Sequence, residues 1–176
     1  MCVEQISKIE AVRRQLDTAI RLFFEDADTV SIHTLCGAAH LILYDIFNSD
    51  DNLEKIEDYE NILQEEDKKK FQKDLRRDRS FFKHADRDMN ETIEFDEKSN
   101  TLLLFMCTEM TRRMDMMSSK MKAYMVWFIK KNEERYSEIE MYKEAIKGCK
   151  LDPNDKKSFL SFANDLENCR DLGRNS

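Results

Sequence analysis

An all-α fold, an up-and-down bundle of about five or six helices forming one domain over residues 1–176, is what the sequence predicts, on three observations. Three glycines and one proline in 176 residues leave little of the turn chemistry that short-stranded sheets need at every hairpin. Strong helix formers (Leu, Met, Glu, Lys, Arg, Ala) dominate the composition. Apolar residues recur at steps of three and four along most of the chain. A chain of this length buries roughly 70% of its unfolded surface, so it needs no metal or disulfide to hold it.

The elements follow in order. Ile6, Ile9, Val12, Leu16, Ala19, Ile20 and Phe23 share one face of a first helix from Val3 to Glu25. "DADTVS" ends it, and Asp28 or Thr29 caps a second helix with the stripe Ile32, Leu35, Cys36, Ala39, Leu43 and Ile46. Gly37, Ala38 and Ala39 mark a place where another backbone can come close. The acidic stretch 49–67 holds a short helix around Leu53 to Leu63 after the turn-like "NSDDN". A third long helix runs from Asp67 to His84 and buries Phe71, Leu75, Phe82 and Ala85, which fall within about 80° of one another. "DRDMNETIEFDEKSN" is a connector, and Ser99 or Asn100 caps the next helix. From Thr101 to Glu134 the seam Met106, Met110, Met114, Met117, Met121, Tyr124 and Phe128 contains no Gly or Pro and reads as one long central rod. Two shorter helices close the chain: one through Ile139, Tyr142 and Ile146 ending at Gly148, the other capped by Asp152 with Pro153 in its first turn and burying Phe159, Phe162, Ala163 and Leu166.

Several classes are excluded at this level. Five scattered cysteines have neither zinc-ligand spacing nor a secreted-domain framework, and read as buried thiols in a reducing cytosol. The N-terminal "MCVEQISKIEAVRRQL" lacks the apolar core of a signal peptide. "TLLLFMC" and "YMVWFI" fall well short of the roughly 20 residues of a membrane span, so a cytoplasmic protein with no membrane partner is expected. There is no Gly-rich phosphate loop and no GxSxG.

The charge is uneven. The net charge is −7, yet residues 68–87 hold nine Lys/Arg against three Asp, a local +6, leaving −13 for the rest. Within "RRDRSFFKHADRD" (76–88), Arg77 and His84 are seven residues apart, about 20° from alignment on a helix, with Lys73 and Phe81 beside them and Arg79 on the other flank. An imidazole can move a proton at neutral pH, and a guanidinium can fork onto phosphate oxygens. Such a pair is a minimal set for RNA cleavage without metal: the imidazole serves the ribose 2′-hydroxyl or the leaving oxygen, and the guanidinium steadies the charge building at phosphorus. The bland reading is a solvated helix face whose cations pair with 49–67 or with Asp74 and Glu66. Asp78 falls on the buried stripe between Leu75 and Phe82. Its carboxylate therefore needs a partner, with Arg13, Arg21, His33 or a second subunit as candidates, unless the helix is rotated enough to wet it.

An Arg, a polar residue and a His four to six positions beyond the Arg, on a helix of a small all-α bundle, resembles the HEPN family. "RDRSFFKH" fits twice, through Arg77–Asp78 and through Arg79–Ser80. The resemblance implies a metal-independent endoribonuclease of toxin or defence type, acting as a homodimer on RNA, with His84 as acid/base, Arg77 or Arg79 holding phosphate and Asp78 orienting. The family's favoured polar neighbour is asparagine, which neither Asp78 nor Ser80 matches, and some of its members bind ligands or proteins without cutting. A noncatalytic module that takes a protein or anionic partner on the basic 68–87 face is the alternative.

Two other groupings have bland explanations. His33, Gly37, His40 and Tyr44 share a flank of the second helix and would be half a metal site if Asp17 or Glu109 faced it. The Glu-x-x-His spacing of bundle metal sites is absent, so packing or capping histidines, and no metal or cofactor, are expected. The methionines between Met106 and Met125 are core packing, with part of the seam extending into a dimer interface.

Overall fold

A computed structural model of the chain describes residues 3–49, 65–84, 89–136 and 139–174. Among the described residues there are no strands and eight helices: α1 (Lys8–Phe24), α2 (Thr29–Ser49), α3 (Glu65–Phe81), α4 (Lys98–Arg113), α5 (Ser119–Lys131), α6 (Glu133–Tyr136), α7 (Glu140–Ile146) and α8 (Lys156–Arg174). The fold is an all-α bundle with more helices than the five or six expected. The helix anticipated at Leu53 to Leu63 lies outside the described residues, as do Ala85 and Asp86.

α1 starts at Lys8 because the Ser7 hydroxyl accepts the Glu10 amide at 3.1 Å. Val3 and Ile6, assigned by periodicity to its apolar face or span, therefore precede it and are exposed. Asp26 ends the helix with φ of 51°. The Ala27 amide returns to the Leu22 carbonyl at 2.9 Å and the Asp26 amide to the Phe23 carbonyl at 3.3 Å, the paired return of a Schellman corner with Asp where Gly is usual. Asp28 then caps α2, its carboxylate accepting the Ser31 amide at 2.7 Å.

The expected rod from Thr101 to Glu134 is broken. α4 stops at Arg113, Asp115 has φ of 53°, and the Met116 amide returns to the Thr111 carbonyl at 2.9 Å while that of Asp115 returns to Arg112 at 3.0 Å. This second Schellman corner again uses Asp in the left-handed region, which a search for Gly and Pro overlooks. Ser118 opens α5 by accepting the Met121 amide at 3.1 Å, and its hydroxyl donates to Asp17 of α1. Two other caps differ from expectation. α4 begins where Asp96 accepts the Lys98 amide at 3.0 Å, so Ser99 and Asn100 are inside the helix. Asp152 is engaged with Asn154 in a turn, and Asp155 caps α8.

α2 packs between α1 and α4, and α5 between α1 and α8. The core is strongly aromatic: Phe23 and Phe24 of α1 meet Tyr124 and Trp127 of α5, and Phe24 stacks on Phe159 of α8. The polar tips are satisfied, with the Tyr124 hydroxyl donating to Thr101 O at 2.7 Å and the Trp127 indole to Pro153 O at 2.9 Å. Of the thiols, Cys36 and Cys107 are buried as expected, but Cys149 is only half-buried and Cys169 is exposed. By length and mean hydropathy (1.4) α2 alone among the described residues could cross a membrane, a feature missed by looking only for unbroken apolar runs. In the bundle its Ile32, Cys36, Ala39, Leu43 and Phe47 are core.

α3 sits differently. Of its described residues only Leu75 and Asp78 are fully buried, and it docks on α2.

The break at Asp115 reverses the sign of a familiar substitution. In a continuous helix, Asp115→Gly would cost about 0.3 kcal/mol; at a left-handed corner it leaves stability unchanged or raises it by up to about 1 kcal/mol, while Asp115→Val lowers it by about 1–2 kcal/mol. Urea unfolding of the two variants reads the difference.

Candidate functional site at the junction of α2, α3 and α4

α3 presents two faces. On one, Lys69, Lys73, Arg76 and Ser80, continued by Lys83 in the turn just past the helix end, recur at helical spacing within about 80° of one another, and all are exposed. The four cations have no acidic partner within ion-pair distance among the described residues. The other face carries Leu75, Asp78 and Arg79 toward α2.

The four residues of the Arg/His motif separate between these faces. His84 is exposed just past the end of α3; its amide still donates to Ser80 O at 3.1 Å, and that of Phe82 to Asp78 O at 3.0 Å, so the helical path continues to the imidazole. Arg77 is about half exposed and already engaged. Its guanidinium donates to Asp78 Oδ1 at 2.7–2.8 Å and to the Glu94 carbonyl at 3.2 Å, with Asp74 at 3.4 Å. Asp78 is 1% exposed, so the helix is not rotated to wet it, and its partner is the adjacent Arg77. Arg13 and Arg21 are paired elsewhere, with Glu10 and Glu25. The Asp78 carboxylate holds Arg77's pKa above the ordinary arginine value. Arg79 points inward, its aliphatic stem against Gly37, where an added Cβ would lie 3.8 Å from Cγ and Cδ. The close approach expected at Gly37 is therefore made by a side chain rather than a backbone.

His33 and His40, on either side of Gly37, are both buried and face this region of α3. Asn100 of α4 donates its amide to the Thr29 carbonyl at 2.9 Å, which turns its Oδ1 toward His33 Nδ1, also at 2.9 Å. Because a backbone carbonyl only accepts, the Asn100 orientation is fixed, and Nδ1 of His33 must carry the proton. Nε2 is left with a lone pair, buried and without a partner. The ring stands edge-to-face with Phe82 and Phe95, at 5.6 and 5.2 Å between centroids. His40 Nδ1 is likewise buried without a partner, and its ring leans on Tyr44. Burial lowers the pKa of His33; His40 is lowered to about 4, by burial first and then by the positive charge of Arg79. No cluster of three or more His, Cys, Asp or Glu suited to a metal occurs among the described residues. Neither Asp17 nor Glu109 completes one: Asp17 takes the Ser118 hydroxyl, and buried Glu109 pairs with Arg112 at 3.0 Å.

The His33–Asn100 pair was not assembled from the sequence. Sixty-seven residues separate the two, and Asn100 reads locally as a cap.

Compared with known proteins, the chain matches no family model, no curated protein and no solved structure.

Removing the Asn100 amide leaves the buried His33 Nδ1–H without a partner and takes from the Thr29 carbonyl the bond it accepts beside its helical one, so Asn100→Ala should cost about 1–3 kcal/mol in urea unfolding. Asn100→Asp places a carboxylate opposite the ring and should raise the His33 pKa, read by imidazole ¹⁵N shifts, which in the wild type should report the Nδ1–H tautomer.

Proposed function

We propose that the chain is an RNA-binding helical module that holds phosphates on the exposed cationic face of α3. The observation that supports this reading is the row Lys69, Lys73, Arg76 and Lys83, four solvent-facing cations with no acidic partner among the described residues, in a chain whose net charge is −7. An overall negative charge disfavours diffuse adhesion to nucleic acid, so binding would be confined to this one strip and strongly salt-dependent. The half-buried Phe81 beside the row offers an apolar edge for an unstacked base.

Cleavage of the HEPN-like kind is the second reading. It is favoured by the backbone hydrogen bonds that continue to His84, two turns beyond Arg77. His84 would move the proton. Arg77 is bound to Asp78, so contact with a phosphate would require the guanidinium to be shared.

Single-stranded RNA binding should fall with salt at a slope near −3 in log–log form, about −0.7 for each of four phosphate contacts. Lys73→Glu with Arg76→Glu should weaken it by at least about tenfold at 0.1 M salt. Salt-independent binding, or full affinity in the double variant, contradicts the RNA reading, and capture of an acidic protein instead of RNA replaces it. End-labelled RNA incubated in EDTA with wild type and His84→Ala separates the two readings: cleavage by wild type alone supports the enzyme, and intact RNA in both reduces the function to binding.

A further inference from the structure

The geometry points to an acid-sensitive latch: His33 and His40 hold α3 on α2 while both are neutral, and their protonation releases α3 as a unit from an otherwise folded bundle. This holds whatever α3 binds.

His33 and His40 lie about one turn before and one turn after Gly37 on α2, the Arg79 stem lies on that glycine, and the Arg79 charge acts on both rings. Each ring has a buried nitrogen with no hydrogen-bond partner, so an added proton would find no acceptor there. Among the described residues, the groups that face His33 are Asp78 and Arg79 of α3, Phe82 just past its end, Phe95 of the connector and Asn100 of α4; those that face His40 are Arg79 and Tyr44. The only carboxylate in that set is Asp78, and it is already held by Arg77. Charging both rings would therefore set three cations along one seam against a single carboxylate that is paired elsewhere. α3 is poorly secured against this, since Leu75 and Asp78 are its only fully buried described residues, whereas the aromatic core of α1, α5 and α8 contains no histidine.

The direction follows from linkage. A released imidazole takes its proton near pH 6.5, and docked His40 does so near 4. The docked state is therefore fully favoured above pH 6.5 and loses ground as pH falls toward 4. At pH 5 the His40 shift alone multiplies the released fraction by about thirty.

Hydrogen exchange on the intact chain, expressed as protection factors at pH 7 and pH 5, tests this. The α3 amides from residue 71 to 81 should lose about thirtyfold or more of their protection, while the α1 and α5 amides keep theirs. His40→Gln should remove most of that loss. Arg79→Met, which keeps the stem on Gly37 and removes the charge, should reduce it independently of whether the glutamine variant folds. A simultaneous loss in α1 and α3, an unchanged α3, or the same pH response in Arg79→Met as in wild type overturns the latch.

Discussion

The contact on which the rest of the arrangement depends is the Arg79 stem lying across Gly37. α2 buries its apolar stripe against α1 and α4, with the His33–Asn100 pair at the edge of the α4 contact, but toward α3 it offers two imidazoles and a glycine. A helix that docks there cannot rely on hydrophobic area alone. Gly37 leaves room for the Cγ and Cδ methylenes of Arg79, each 3.8 Å from where a Cβ would stand, so the stem can pack there while the guanidinium reaches past it. With Arg79 turned inward, the helical phase of α3 is set: Asp78 and Leu75 go in, and Lys69, Lys73, Arg76 and Lys83 go out. The cationic row is thus a consequence of how the opposite face docks.

Burial of Asp78 imposes the next condition. A carboxylate that is 1% exposed needs a charge-assisted partner, and Arg77, half in solvent, supplies it from the adjacent position. The arginine that looks most available to a ligand in the sequence is therefore the one most engaged in the fold. His33 shows the same principle in neutral form. Asn100 bridges α2 and α4, fixes the tautomer, and leaves one nitrogen bare.

Much of the fold was legible because its periodicity is strong. The stripes of α1 and α2, the burial of Phe159 and Ala163, and the end of α7 near Gly148 all follow from spacing and capping. The break between α4 and α5 was not legible, since Asp115 adopts a conformation usually left to glycine and the methionine seam runs on through it. At the site, the local pattern placed Arg77 and Asp78 on one helix and Asp78 on its buried stripe, but ran that helix to His84, whereas it ends at Phe81 and leaves His84 just past the turn beyond. It could not reveal that Arg79 turns to Gly37, or that His33 meets Asn100, because both depend on contacts between residues more than forty positions apart.

The central claim is that α3 is seated by a side chain lying on a residue without one. Replacing Gly37 tests it most directly. An added methyl would make only ordinary contact with Arg79, so Gly37→Ala should match or exceed wild-type stability, by up to about 1 kcal/mol from helix propensity, with α3 still protected from exchange. Gly37→Leu should expel the stem and strip protection from α3 while α1 and α5 remain protected. If the leucine variant keeps α3 as firmly docked as the alanine variant does, Arg79 does not seat the helix and the account fails.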